Sequence, residues 1–312
     1  MTPDDLVEGI PKLAASFDQP FGNSSVVPAY YCALRAREDG FGRMLAGDGG
    51  DELFAGNSRY AMQLLLGHYD RVPHAVRRMI EPLSVNSPLF RKVPGLRQLG
   101  GYVRHARLPL PDRLESFNLL HRIDAGEVFE PSFLARIDTS HPLAAQRRTW
   151  SAVDADSLLD RMLGYDWKYT LADNDLPKVR AATRVAGMTV GYPFLSRALA
   201  EFSLTLPARW KLRGTKLRWF FKEALRDVLP GEILRKTKHG FGLPFGPWVL
   251  KHERLRALAE MSLEGIARRG MVKPAFARTL VGTRLAEAPG YYGELVWILM
   301  MLEQWMAARD AR

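Results

Sequence analysis

The sequence predicts an α/β portion at the N-terminus followed by a mostly helical remainder. Three observations carry this. Helix, strand, glycine-rich loop and helix signals follow one another within the first 60 residues, the order of an α/β layered fold. After Asp156, apolar residues recur at helical spacing almost to the end. At 312 residues, with 47% hydrophobic and 25% charged side chains, the chain has the composition of a globular protein with a sizeable core.

The elements follow in order. Thr2-Pro3-Asp4-Asp5 is a helix start: a threonine cap, proline at the first helical position, then acids. That helix runs toward Phe17, with Pro11 as its weak point. Asp18 to Asn23 is a loop. Ser24-Ser25 caps a second helix carrying Val26, Val27, Tyr30, Tyr31 and Leu34, which stops near Gly40. Met44 to Ala46 is an apolar run of the kind that ends a buried strand. From about Ala61 to Trp150, Pro82, Pro88, Pro94, Pro109 and Pro111 break the pattern into short helices and loops with a basic surface. Leu158, Met162, Tyr165 and Tyr169, flanked by Leu159 and Leu163, then form one helical face. Further helices are expected at Asp175 to Gly187, from Pro193 with Leu199, Phe202 and Leu204, at Thr215 to Leu229, at Pro247 to Glu260 and at Leu295 to Met306. Three parts are expected: residues 1–60, a partial α/β region with an acidic loop; 61–150, short helices with a basic surface; and 151–312, helical.

The loop after the strand is the most informative stretch. Gly47-Asp48-Gly49-Gly50-Asp51-Glu52 places three glycines and three acids within six residues. Glycine lets the backbone crowd a ligand or turn with positive φ, and acids suit the first turn of a helix. A strand, a glycine-rich turn and a helix together read as a phosphate cradle. Bare carboxylates repel phosphate, but Mg²⁺ between them removes the conflict, because it takes one or two carboxylates plus phosphate oxygens. The other reading is an Asp/Gly-rich turn with a capping aspartate.

Composition bounds the alternatives. The net charge is +10, much of it arginine between Arg71 and Arg148. No nucleic-acid motif accompanies it, so a nucleic-acid partner would rest on charge alone. Cys32 is the one cysteine, which fits a reducing compartment, and its apolar neighbours read it as a core residue rather than a nucleophile. Seven histidines lack metal-ligand spacing. No apolar signal region or membrane-length run is present, and a cytoplasmic location is the expectation.

Taken together, the acidic loop and the helical half resemble a known family. The motifs are Asp18-Gln19-Pro20-Phe21, Gly47 to Gly56, Asp175-Leu176 with Lys178-Val179, Pro193-Phe194-Leu195, Gly214-Thr215-Lys216 and Lys238-His239-Gly240-Phe241-Gly242. In this order the chain, over about residues 3 to 308, is similar to the C-terminal synthetase domain of glutamine-hydrolysing asparagine synthetases. The resemblance implies an incomplete adenine-nucleotide-hydrolase-like parallel sheet followed by helices. It implies ATP and Mg²⁺, adenylation of an aspartate side chain, and amidation by ammonia released from glutamine in a separate domain. Asp51 matches the Mg²⁺-binding aspartate and Asp48 the acid that assists proton removal from ammonia. Gly47, Gly49 and Gly50 lie where backbone meets nucleotide. Lys238 matches the lysine that neutralises phosphate charge, the role such displacements demand; outside that context it reads as a solvated loop lysine.

Departures from the family pattern carry their own expectations. The family's Ser-Gly-Gly-x-Asp-Ser loop occurs nowhere in the sequence. The leading strands and one metal-binding aspartate are therefore expected to be missing, leaving an exposed sheet edge. No cysteine follows the initiator methionine, where Thr2 stands, so glutamine hydrolysis must come from elsewhere. Where the family commonly has Glu-x-Arg-x-Pro-Phe-Leu-Asp, this chain has Thr189, Gly191 and Ser196 in place of the three charges, and Lys178-Val179-Arg180-Ala181 replaces Lys-Val-Asp-Arg. Three readings follow: a truncated or split asparagine-synthetase-like amidotransferase needing a complementing N-terminal segment, a relative acting on a carboxylate other than aspartate, or a non-catalytic remnant or partner subunit.

Overall fold

The computed structural model describes residues 1–78, 94–115, 122–236 and 242–311. Among them the fold is mostly helical, with one two-stranded parallel sheet.

Helix α1, Pro3–Ser16, begins as the sequence dictates. Thr2 Oγ1 accepts from the Asp5 amide while the Asp5 carboxylate accepts from the Thr2 amide, a reciprocal cap. Pro11 does not end it. The helix runs through to Ser16 and buries Leu6, Ile10 and Leu13. Helix α2, Val26–Glu38, starts where expected, but Ser25 makes no side-chain cap. Instead Asn23 Oδ1 accepts from both the Ser25 amide at 3.0 Å and its hydroxyl at 2.7 Å.

Strand β1, Arg43–Leu45, pairs in parallel with β2, Thr189–Gly191, in the register Arg43↔Thr189, Met44↔Val190, Leu45↔Gly191. The expected buried strand is corrected here. Leu45 is 73% exposed and nearby Phe41 63%. Among the described residues β1 has one strand neighbour, β2.

Beyond β1 come helices α3, Gly50–Phe54, and α4, Ser58–Gly67. Next is α5, Pro94–Ala106, and after several single-turn helices α6, His141–Ala152. Helix α7, Leu158–Asp166, buries Leu159, Met162, Leu163 and Tyr165, the face read from the sequence. It passes without a break into a π-helical segment, Trp167–Asp175, then into α8, Leu176–Val185. Helix α9 is Arg197–Thr205. The long helix expected from Thr215 to Leu229 is only α10, Trp219–Ala224, ended by turns. Phe220 there stacks on Trp210, with ring centroids 6.1 Å apart.

The C-terminal helices are α11, Phe245–Lys251, α12, Glu253–Arg268, α13, Pro274–Thr279, and α14, Pro289–Asp310. Helix α14 is apolar along most of its length and packs against α1, α11 and α12. At its crossing with α11, Gly246 and Gly293 let the two backbones touch. Trp305 Nε1 of α14 donates to the Phe17 carbonyl at 3.1 Å, and Arg309 donates to the same oxygen. One large core therefore joins α1 and α2 with α8, α12 and α14. Helix α2 packs along α8, and α8 in turn contacts β2. Among the described residues, no helix is long and apolar enough to cross a membrane.

Candidate active site

The acidic loop leaves β1 at Ala46, whose amide still donates to the Gly191 carbonyl at 2.9 Å. The chain then turns at Asp48-Gly49. Gly49 has φ of 91° and caps α3. A side chain is excluded there twice over: positive φ disfavours it, and a Cβ would overlap Leu195 Cδ2. Ala55 ends α3, also in the left-handed region with φ of 56°. The five-residue helix is too short for a large dipole, so charge here comes from side chains.

A cleft of about 650 Å³ lies beyond the carboxyl ends of the two strands, the usual position for ligands in open parallel sheets. The loop lines it with Gly47, Asp48, Gly49, Asp51 and Glu52. Facing them are Asp175 and Lys178 of the α8 turn, and Arg218, which precedes α10. Motifs more than 120 positions apart in the chain thus meet in one cavity. Gly50 does not line it; its Cα faces the Phe194 ring. Lys238 lies outside the described residues.

The electrostatics are those of crowded carboxylates. Burial, then the neighbouring Asp175, raise the Asp48 carboxyl above its ordinary value, against the opposing pull of Lys178. Burial pushes Glu52 up to about 7, with Asp51, Asp166 and Asp175 adding to it. Lys178 Nζ lies 2.6 Å from Asp175 Oδ1. Arg218 Nε donates to Asp51 Oδ1 at 3.0 Å, and a terminal guanidinium nitrogen donates to the same oxygen. Beside the cleft, the Tyr192 hydroxyl is buried without a hydrogen-bond partner, and Asp48 adds to the burial that raises it.

The donor set suits a hard cation. Asp48 and Asp51 present carboxylates to one cavity, and Mg²⁺ needs only one or two alongside phosphate oxygens. Among the described residues, no group of three or more His, Cys, Asp or Glu side chains is placed to hold a metal ion.

Several residues that line the cleft were missed by reading the sequence. Cys32, expected in the core, is exposed and lines the cleft. Glu52 read as a helix-start acid, and only its burial at 5% exposure reveals its raised pKa. Arg218 follows the Gly214-Thr215-Lys216 motif by two residues, but nothing local signals its left-handed backbone, φ 52°.

Fold and cleft together define an α/β protein with an acidic, ligand-sized cavity at the ends of parallel strands. The chain belongs to the asparagine synthase family, whose family model matches residues 1–307. A protein of Mycobacterium tuberculosis strain H37Rv, named as a glutamine-hydrolysing asparagine synthetase, is 27% identical over 252 residues, covering 81% of this chain and 37% of that protein. Glutamine-hydrolysing asparagine synthetase 1 of Bacillus subtilis strain 168 is 23% identical over 258 residues, covering 81% of this chain and 38% of that protein. The chain thus spans under two-fifths of the length of these relatives.

Proposed function

We propose that the chain forms part of an ATP-dependent carbon–nitrogen ligase that activates a carboxylate by adenylation and then amidates it with ammonia. The observation that carries this is the shared cleft. It brings the Gly47 to Asp51 loop against Asp175, Lys178 and Arg218 beyond the strand ends.

In this reading an acceptor carboxylate oxygen attacks the α-phosphorus of ATP and pyrophosphate leaves. Ammonia then attacks the acyl carbon, AMP departs, and one proton is lost from nitrogen. Gly47 offers exposed backbone, with no side chain, beside the nucleotide. Asp51 would hold Mg²⁺, which would supply charge neutralisation for the phosphates. Asp48 receives the ammonium proton; a carboxylate held above its ordinary pKa is the better base for that task. Lys178 keeps Asp175 from adding a full negative charge opposite Asp48. Lys238 completes the phosphate side as the pyrophosphate-facing lysine.

The acceptor is proposed only as a carboxylate. In β2, Thr189 is exposed, and a side chain at Gly191 would press on Leu45 Cδ2. Thr189 and Gly191 stand where the family commonly carries glutamate and arginine, so an acceptor other than aspartate fits as well as aspartate. A complementing segment carrying a phosphate loop would pair with the β1 edge that has no strand neighbour among the described residues, with ammonia supplied by a separate glutaminase.

Pyrophosphate release against a panel of carboxylate acceptors, with ATP, Mg²⁺ and ammonium, tests the reading. The chain alone is expected to be inactive, and adding the complementing segment of a relative is expected to restore turnover. Asp51→Asn and Lys238→Ala should each then remove it, by about a hundredfold or more, the scale on which lost charge stabilisation acts. Turnover surviving both substitutions would refute these roles.

A further inference from the structure

Arg218 is held in place by an unusual convergence of backbone features. Its own φ and ψ are 52° and 36°, a left-handed conformation that side-chain-bearing residues rarely adopt. Its amide donates to the carbonyl of Ala55, itself left-handed with φ of 56°. The next residue, Gly56, is buried, and a Cβ there would overlap both Asp51 Oδ1 and Arg218 Nε. Two left-handed residues and one obligatory glycine thus converge on a single contact, the guanidinium on Asp51 Oδ1. Strained backbone gathered at one point is a mark of function rather than of packing.

The setting separates this pair from an ordinary interior salt bridge. Both side chains line the cleft, with 36% of Arg218 and 19% of Asp51 exposed. The guanidinium can therefore leave its partner without crossing packed protein. Asp51 cannot follow, because it is anchored in α3, whose Leu53 and Phe54 are buried.

We propose that Arg218 is a positioning residue that acts as a resident counter-cation: it holds the Asp51 carboxylate in place while the divalent cation is absent, and gives way to the cation when it binds. This rests on the assignment of Asp51 as a cation ligand. Coulomb attraction favours the exchange, because a dication replaces a single spread charge on the same oxygen. The arrangement offsets part of the Asp51 charge between turnovers, and it lowers the apparent affinity for free metal, since the guanidinium must first be displaced.

The test uses Mn²⁺ alone, followed by electron paramagnetic resonance, together with thermal melts of the full chain in chelator and in excess Mn²⁺. Arg218→Gln is expected to bind Mn²⁺ about tenfold more tightly than the unmodified chain. It is also expected to melt lower in chelator and to regain that loss with Mn²⁺, while the unmodified chain shifts little. Arg218→Lys, which keeps the charge but loses the fork, should fall between the two and carries the test if Arg218→Gln does not fold. Equal Mn²⁺ affinities across the series, or a stability loss that Mn²⁺ does not restore, overturn the proposal. Asp51→Asn separates the two readings. If Asp51→Asn with Arg218→Gln still binds Mn²⁺ as tightly as Arg218→Gln alone, the assignment of Asp51 as ligand fails; if binding needs Asp51 but ignores Arg218, only the counter-cation role fails.

Discussion

Glu52 shows how one residue can carry both a functional and a stability signature. Its carboxyl is 5% exposed, and its pKa rises from 4.5 to about 7, chiefly through burial. In the folded chain it therefore keeps its proton through a pH range where the unfolded chain has lost it. Stability from this group is fully present below pH 4.5 and is lost as pH rises toward 7. The change is worth up to about 3 kcal/mol. Denaturant unfolding in chelator should thus give a stability that falls over this window, and Glu52→Gln should flatten the fall; an unchanged slope would mean that Glu52 titrates normally. At this scale the sequence was only partly legible. Asp48 and Asp51 were visible because glycines isolate them in a motif. Glu52 and Cys32 were not, since burial and exposure are set by helices packed from distant parts of the chain. Arg218 was hidden because positive φ is signalled by glycine or asparagine, and here an arginine adopts it.

Helix caps and proline positions were the readable part at the level of elements. Thr2 and Asp5 form the reciprocal cap that their spacing dictates, and the Leu159–Met162–Leu163 face packs inward. The π-helical run Trp167–Asp175 was not readable, because no glycine or proline marks it and its ladder shift is decided by tertiary contacts. The Thr215 to Leu229 segment read as one helix from its residue types, yet the left-handed Arg218 delays its start to Trp219. The crossing of α11 and α14 gives the sharpest expectation. A Cβ at Gly246 would overlap the Pro289 carbonyl and lie 3.2 Å from Gly293 Cα, both backbone atoms that cannot rotate away. Gly246→Ala should therefore push the helices apart and cost about 3 kcal/mol in urea unfolding. A loss under about 1 kcal/mol would show that the helices slide freely.

For the whole molecule, the mostly helical character was legible, but the pairing of β1 was not, since its partner β2 lies at residues 189–191, inside the stretch expected to be helical. The joining of the two ends was not legible, since no local pattern announces a contact between residues 17 and 305. Trp305 and Arg309 both donate to the Phe17 carbonyl, and the Arg309 guanidinium lies 3.8 Å from the Trp305 ring centroid. Replacing the pair by phenylalanine and methionine removes both donors while keeping bulk. Hydrogen exchange should then quicken at residues 17 to 25, the loop that leads toward the cleft; unchanged protection there would show that the loop is held by α2 alone. The same tie has a consequence for how the protein is made. A chain emerging from the ribosome N-terminus first offers α1 and α2 long before α14 exists. The side of α1 that meets α14 must wait, uncovered, while residues 17 to 288 are made, whereas α2 meets α8 much earlier, and that interval is when chaperone capture or misassembly would take hold.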